Sequence, residues 1–219
     1  MHLITLLRKE FTLELRRKSV ISGLSLYLFN LVFIYYITFR LNQGTLSPAA
    51  WSVLFWLTVL FSVVNSVAKS FIGERKGTLL YFYSLLSPQV IIASKIIYNT
   101  MLAFLLSFSA YVLFRVFIDA PVSNNMLFVL TLLLSSWGFA ASLSLISALA
   151  AKANNSQVLM AVLSFPVLLA ILFMAIRLTM KAIDGMGWEE SLADGLNLIA
   201  VNTIATTLSY LLFPYIWRS

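Results

Sequence analysis

The stretch GERKGTLLYFYSLLSPQ, residues 73–89, combines a compact charge cluster with an aromatic run in a chain that is otherwise strongly apolar. A helix from about Thr78 to Leu86 would carry apolar side chains almost all round. Such a helix needs burial on two sides, one against its own domain and the other in the cleft of a second protein. Pro88 would end it, because proline cannot continue the hydrogen bonds of a helix. The alternative is a juxtamembrane helix lying among lipid headgroups.

Residue types that perform catalysis or bind metals are scarce in this sequence. The single histidine is His2, and the absence of cysteine excludes disulfides and thiolate metal sites. There is no Walker-type glycine loop, no His-Glu-x-x-His motif, no nucleophile elbow and no pair of carboxylates within an apolar segment. We therefore predict no catalytic residue, no metal site and no intrinsic enzymatic activity, so that any energy for work must come from a partner.

Long windows without charge show how the domain that carries the 73–89 stretch is built. Of the 219 residues, 61% are hydrophobic and 11% are charged, whereas a soluble domain is about half apolar and about a quarter charged. A helix of about 20 apolar residues spans the hydrocarbon layer, and barrel strands would alternate instead. The prediction is an all-α polytopic membrane protein, with one domain over residues 1–219. Its six transmembrane helices are expected at about 19–39, 49–71, 91–117, 126–150, 157–177 and 196–217.

The distribution of basic residues predicts the orientation. The net charge is +7, and most of the 15 lysines and arginines fall in the N-terminal segment, in the loop after the second span, and near Lys152 and Arg218. By the positive-inside rule both termini are cytoplasmic. The basic excess is thus explained by topology. We predict that the chain is surrounded by the lipid bilayer and binds no nucleic acid.

The N-terminal segment, residues 1–18, has the pattern of an amphipathic helix. Ile4, Leu7, Phe11 and Leu15 recur at helical spacing, while basic residues lie to one side. Such a helix can lie in the cytoplasmic interface, either as a topology anchor or in a specific docking role. Charges interrupt its apolar residues, so the segment does not resemble a cleaved signal peptide.

The polar content within the spans is neutral and includes a small-residue face. Ion-coupled carriers use ionisable groups at depth, so their absence mid-window argues against a secondary transporter. In the fourth span small residues recur every four positions and would let another helix backbone approach closely. These predicted helix-packing residues are Ser136, Ala140, Ser144 and Ala148.

Residues 177–197, RLTMKAIDGMGWEESLADGLN, form the longest predicted external segment. Glycines surround Trp188, and Glu189, Glu190 and Asp194 form an acidic group. One interpretation is a solvated loop with an interfacial tryptophan. The other is a short re-entrant or surface helix, WEESLADGL, over the outer mouth of a pathway.

The order Glu-Arg-x-x-Gly-Thr-Leu and then Ser-Pro, after the second of six spans, is similar to the cytoplasmic coupling segment of ABC-2 type exporter permeases. This sequence has one residue fewer between arginine and glycine. Within that superfamily the whole chain resembles the CcmB family, haem exporter permease subunits of cytochrome c maturation. That likeness rests on the length, the six spans, the opening LLRKEFTLELRRK and the phrase ERKGTLLYFYSLLSP.

The resemblance implies a permease dimer with two copies of an ABC ATPase subunit. Further cytochrome c maturation subunits and a periplasmic haem chaperone would associate with it in the bacterial inner membrane. ATP would bind the partner, no cofactor would be bound by this chain, and haem would be a possible cargo. The ATPase-coupling residues would be Glu74, Arg75, Lys76, Gly77, Thr78, Leu79, Leu80, Tyr81, Phe82, Tyr83, Leu86 and Pro88.

Two other functions fit the same sequence. One is an ABC-2 exporter permease for a different amphipathic cargo, such as a lipid-linked glycan or a drug. The other is a non-transporting membrane scaffold, against which the charged aromatic loop argues. Apolar spans with scattered Asn and Ser suit many cargoes.

Overall fold

A computed structural model describes Leu6, Leu7, Thr12 and residues 18–40, 46–67, 87–151 and 156–218. Within these residues every regular element is a helix and no strand occurs. The all-α class expected from the continuous apolar windows is confirmed for this part of the chain.

The described residues form six long helices. They are α1, Lys18–Tyr35, continued by a π-helical turn at Tyr36–Arg40; α2, Pro48–Val67; α3, Pro88–Phe117; α4, Asn125–Ala151; α5, Ser156–Ile183; and α6, Trp188–Arg218. Five of them, α2 to α6, contain stretches long and apolar enough to cross a membrane. The apolar part of the first, Ser25–Phe39, is shorter. Six spans therefore remain a prediction, of which five have the length that a bilayer requires.

Prolines begin two of these helices. Pro48 is the first residue of α2. Its missing N–H costs nothing there, because an N–H in the first turn has no partner within the helix. Ser47 Oγ accepts a hydrogen bond from the N–H of Ala50 (3.2 Å). Pro88 likewise is the first residue of α3. The helix starts near these prolines thus follow directly from the sequence.

Helix α4 lies at the centre of the bundle. In its spanning window 67% of the residues are buried, against 28–50% in the other four candidates. It packs against α3, α5 and α6, and more weakly against α2. A central position explains why apolar and small residues occur all round this helix, since no side of it needs to face lipid.

Helices α3 and α4 pack antiparallel through paired polar residues. Asn99 Nδ2 donates to Ser144 Oγ (2.8 Å), and the hydroxyls of Ser107 and Ser136 lie 3.5 Å apart. Eight residues separate the two positions on each helix, which fixes the register of the pair. All four side chains are buried. Because the bilayer interior contains no water, polar groups there need hydrogen-bond partners within the protein, and these two contacts provide them.

A buried aromatic cluster joins α2, α3 and α4. Trp51 stacks on Phe55 with ring centroids 5.3 Å apart, and both meet Phe114 edge-on at 5.6 and 5.4 Å. Phe128 completes the cluster, 5.4 Å from Phe55. Trp56 Nε1 donates to Thr179 Oγ1 (2.8 Å), which ties α2 to α5 as well. These rings pack against α4 at Phe128 and Phe139.

Gly138 allows the closest contact between α4 and α6. Asn202 of α6 lies flat against it, with Nδ2 donating to the carbonyl of Leu134 (2.8 Å). The Oδ1 atom of Asn202 occupies the space that a Cβ on residue 138 would need. Only glycine admits the amide at this position, and no hydrogen-bond donor among the described residues reaches Oδ1.

We expect Gly138→Ala to destabilise the protein by about 1–3 kcal/mol, or roughly 3–10 °C in Tm, because the new methyl displaces the Asn202 amide. Gly23→Ala is the matched control, since nothing lies within 4 Å of a Cβ there. The measurement is thermal unfolding in detergent. Adding Asn202→Ala to the Gly138→Ala variant should recover part of the loss. Equal stability of the two single variants would refute the contact.

Candidate functional site

Of the predicted coupling residues, the structure describes only Pro88. Residues 73–86 fall outside the described residues, so the roles predicted for Glu74 to Leu86 stay predictions. Pro88, expected to end the coupling helix, is the first residue of α3. The segment therefore leads directly into a 30-residue helix.

The end of the bundle at which α3 begins holds a second buried cluster. Leu6 is helical and buried together with Ile91, Ile92 and Phe213. Ile91 and Ile92 lie in the first turns of α3, and Phe213 lies in the last turns of α6. The rest of the predicted N-terminal amphipathic helix, apart from Leu7 and Thr12, lies outside the described residues. At Leu6 the N-terminal segment therefore packs against the bundle beside the start of α3.

Lys95 is a charged residue that the sequence places at the membrane boundary. It lies in α3, seven positions after Pro88, and its side chain is buried. It belongs to the same face as Asn99, one turn further along the helix. A cation thus enters the bundle at the end next to the predicted coupling segment.

The four predicted packing residues of α4 are all buried. Ser136 and Ser144 make the two contacts with α3 described above, and Ala140 and Ala148 lie on the same stripe. Ala103 of α3, buried as well, falls opposite Ala140 in this register. Small residues therefore face each other, and the two backbones can approach closely over about two turns.

The opposite end of the bundle is tied by the turn at 118–124. The backbone N–H of Asn124 donates to the carbonyl of Ala182 (2.9 Å), and Ser123 Oγ donates to that of Ile183 (2.8 Å). These carbonyls belong to the last turn of α5, where the helix no longer supplies the N–H four residues on. Asn124 Oδ1 also accepts from the N–H of Leu127 and caps α4 (3.1 Å). One short turn therefore satisfies the ends of two helices.

An ion cluster joins α5 and α6 at this same end. The carboxylate of Asp194 is 4% exposed and contacts Arg177 Nη2 at 3.2 Å and Lys181 Nζ at 2.8 Å. The ammonium of Lys181 also donates a hydrogen bond to the carbonyl of Glu190 (3.0 Å). Two cations on α5 thus hold one buried anion on α6.

The loop interpretation of residues 177–197 is wrong for most of that segment. Helix α5 runs on to Ile183 and α6 already begins at Trp188, so only residues 184–187 lie outside the helices. The alternative surface helix at WEESLADGL is helical but continuous with the last span. Charged residues can extend both helices here because the ion cluster neutralises them. Glu189 and Glu190 also favour a helix N-terminus, where the dipole is positive.

Sequence reasoning missed both the ion cluster and the Asn202 contact. Arg177 and Lys181 lie four residues apart, which puts them on one helix face, and this spacing was the available signal. Their anionic partner stands on another helix, so spacing could not identify it. Among the described residues no three His, Asp or Glu side chains come together in a metal-binding group.

Comparison with known proteins gives one match. A family model described as CcmB protein matches residues 1–214 of the 219-residue chain. No curated protein and no solved structure has a significant match to it.

Removal of the Asp194 charge should loosen the α5–α6 connection. We expect Asp194→Asn to cost about 1–3 kcal/mol, less than for a fully buried pair because the Arg177 side chain is 52% exposed. Glu189→Gln, at an exposed acid five residues earlier in α6, is the control and should change stability little. Thermal unfolding in detergent measures both. The cluster would have no structural role if the two variants unfolded at the same temperature.

Proposed function

Because the chain belongs to the CcmB family, we propose that it is the membrane-spanning permease subunit of the ABC transporter complex of cytochrome c maturation. The family comprises ABC transporter permeases for cytochrome c biogenesis and haem export. The match over residues 1–214 carries this proposal. It is supported by helices that have the length and apolarity of a multi-pass membrane protein.

The energy for its work comes from a partner. The family operates with an ATPase and other maturation components, and its members are permease subunits. In the proposed complex two copies of the ATPase bind ATP and serve two copies of this chain. A periplasmic haem chaperone and further maturation subunits complete the assembly. The scarcity of catalytic residue types in the sequence agrees with this division of labour.

The segment at residues 73–89 couples the two subunits. Glu74, Arg75 and Lys76 contact the ATPase surface, Gly77 permits the turn, and the aromatic run from Thr78 to Leu86 fills a groove on that subunit. Closure of the ATPase pair on ATP displaces this helix. The displacement then passes into α3, which the segment adjoins.

The packing of the bundle supports this route. Helix α3 is held to α4 by the Asn99–Ser144 and Ser107–Ser136 contacts. At the far end, Asn124 and Ser123 connect the α3–α4 turn to the end of α5. A push at Pro88 therefore moves packed helices together instead of bending one of them.

The cargo step is the export of haem or the release of a haem-loaded periplasmic chaperone. A permease for another amphipathic cargo and a non-transporting scaffold are the competing functions. The family match favours the haem-related function over both. The proposed location is the bacterial inner membrane, with six spans and both termini in the cytoplasm.

Single-cysteine labelling tests this orientation, because the native chain has no cysteine. Cysteines at Pro121 and Gly187 should react with a membrane-impermeant maleimide added from outside the inner membrane. Cysteines at Lys76 and Lys152 should react only after the membrane is permeabilised. Labelling of Lys76→Cys from outside would overturn the topology.

Purification of the tagged chain in mild detergent tests the proposed function. Mass spectrometry should identify an ABC ATPase together with cytochrome c maturation proteins, and an absorption spectrum would detect haem. An ATPase accompanied by glycan or lipid pathway proteins would keep the permease and discard the haem. Absence of any ATPase would overturn the coupling proposal.

Leu79→Asp and Tyr81→Asp test the coupling segment itself. Each places a charge in the apolar surface that is proposed to fill the ATPase groove, so we expect at least about tenfold less ATPase in the pull-down and a matching loss of cytochrome c maturation. Pro121→Asp puts the same charge on an exposed turn at the other end of α3 and should change neither. Unchanged ATPase recovery in both variants would rule out this segment as the contact.

A further inference from the structure

A lateral groove opens between α1 and α3. Its volume is about 730 Å³, and apolar atoms make most of its surface. Leu26 and Phe29 form one wall, and Phe108, Ser109 and Val112 form the other. The hydroxyl of Ser109 is already used, since it donates to the carbonyl of Leu105 (2.8 Å). The groove therefore offers apolar contact and little polar recognition.

A cation, Arg115, lies beyond the groove residues of α3, near the end of that helix. Phe108, Val112 and Arg115 follow each other at intervals of four and three residues, so they form one stripe of α3, and all three are exposed. At the rise of a helix, Arg115 lies about 4–10 Å further along the axis than these two groove residues. It is also two residues from Phe117, where α3 ends. This position corresponds to headgroup depth, with the groove in the hydrocarbon below it.

A contact with Tyr111 orients the side chain of Arg115. No anionic side chain among the described residues compensates its charge. Its Nη1 atom lies 3.4 Å from the hydroxyl of Tyr111, a long hydrogen bond to a neutral group. That hydroxyl donates in turn to Asn125 Oδ1 (2.7 Å), which fixes it in place. No acidic side chain of the described residues forms an ion pair with Arg115. Most of its N–H donors are therefore available to an anion.

We propose that this groove and Arg115 form a binding site for an anionic phospholipid. One acyl chain lies in the groove between Phe29 and Phe108, and the phosphate binds the guanidinium of Arg115. A phospholipid carries an anion at headgroup depth and a thin apolar chain directly beneath it, which is the spacing that α3 presents. The site is independent of the transport function proposed above and does not require the ATPase partner.

The test uses the full-length chain in vesicles of phosphatidylethanolamine with a small amount of photoreactive probe. The probes are phosphatidylglycerol and phosphatidylcholine with the same diazirine in one acyl chain. Mass spectrometry then locates the labelled peptides. We expect phosphatidylglycerol to label residues 25–29 and 108–113 about fivefold more than phosphatidylcholine, the ratio that one cation facing an anionic headgroup provides.

Variants separate the charge from the groove. Arg115→Gln should bring the two probes to equal labelling, and Arg115→Lys should restore most of the preference. Ser109→Trp fills the groove and should reduce labelling by both probes, with Leu26→Trp as a second blocking variant if the first does not fold. Leu211→Trp, on the exposed face of α6, is the control and should leave labelling unchanged.

Two outcomes would overturn the site. One is equal labelling by both probes in the native chain, which would mean that the groove holds bulk lipid without selection. The other is disulfide formation between two copies of a Ser109→Cys variant together with loss of groove labelling. That result would assign the groove to a contact between copies of this chain.

Discussion

Close packing around one buried helix is the constraint on which the rest of this structure depends. Inside a bilayer the lipid tails are as apolar as the helices, so burial of leucine or valine supplies no force that brings helices together. Helix α4 is held instead by small residues and by hydrogen bonds between neighbouring helices. Asn99 with Ser144 and Asn202 with the Leu134 carbonyl are two of these, both 2.8 Å long. The large rings of Trp51 and Phe55 then fill the remaining space.

The two ends of the bundle differ in chemistry. At the end formed by the 118–124 and 184–187 turns, loops are short and polar groups are paired, with Asp194 buried between two cations. At the other end, α3 begins directly after the charged and aromatic segment, and Lys95 and Leu6 are buried nearby. This asymmetry agrees with the proposal that a partner acts at the start of α3, because a tied far end lets packed helices move as a unit.

Much of the fold could be predicted from the sequence, because transmembrane helices are long and their apolar windows are bounded by charges. The spans expected at about 49–71 and 91–117 agree with helices that begin at Pro48 and Pro88, although Pro88 was expected to end the segment before it. Charge was a poor guide at residues 177–197. It predicted that the fifth span ends near residue 177 and the sixth begins near 196, whereas α5 continues to Ile183 and α6 begins at Trp188. A charged residue need not end a helix when it has a partner, and Arg177 and Lys181 both pair with Asp194.

The sequence by itself determined that this protein is helical, that it is built for a membrane, and which family it belongs to, because composition, spacing and motif are local properties of the chain. Only the tertiary structure decided that α4 is central, that Gly138 receives Asn202, and that Asp194 pairs with cations on α5. These facts depend on which helices become neighbours and in what register. Residues 64 positions apart, such as Gly138 and Asn202, carry no local signal that they will touch.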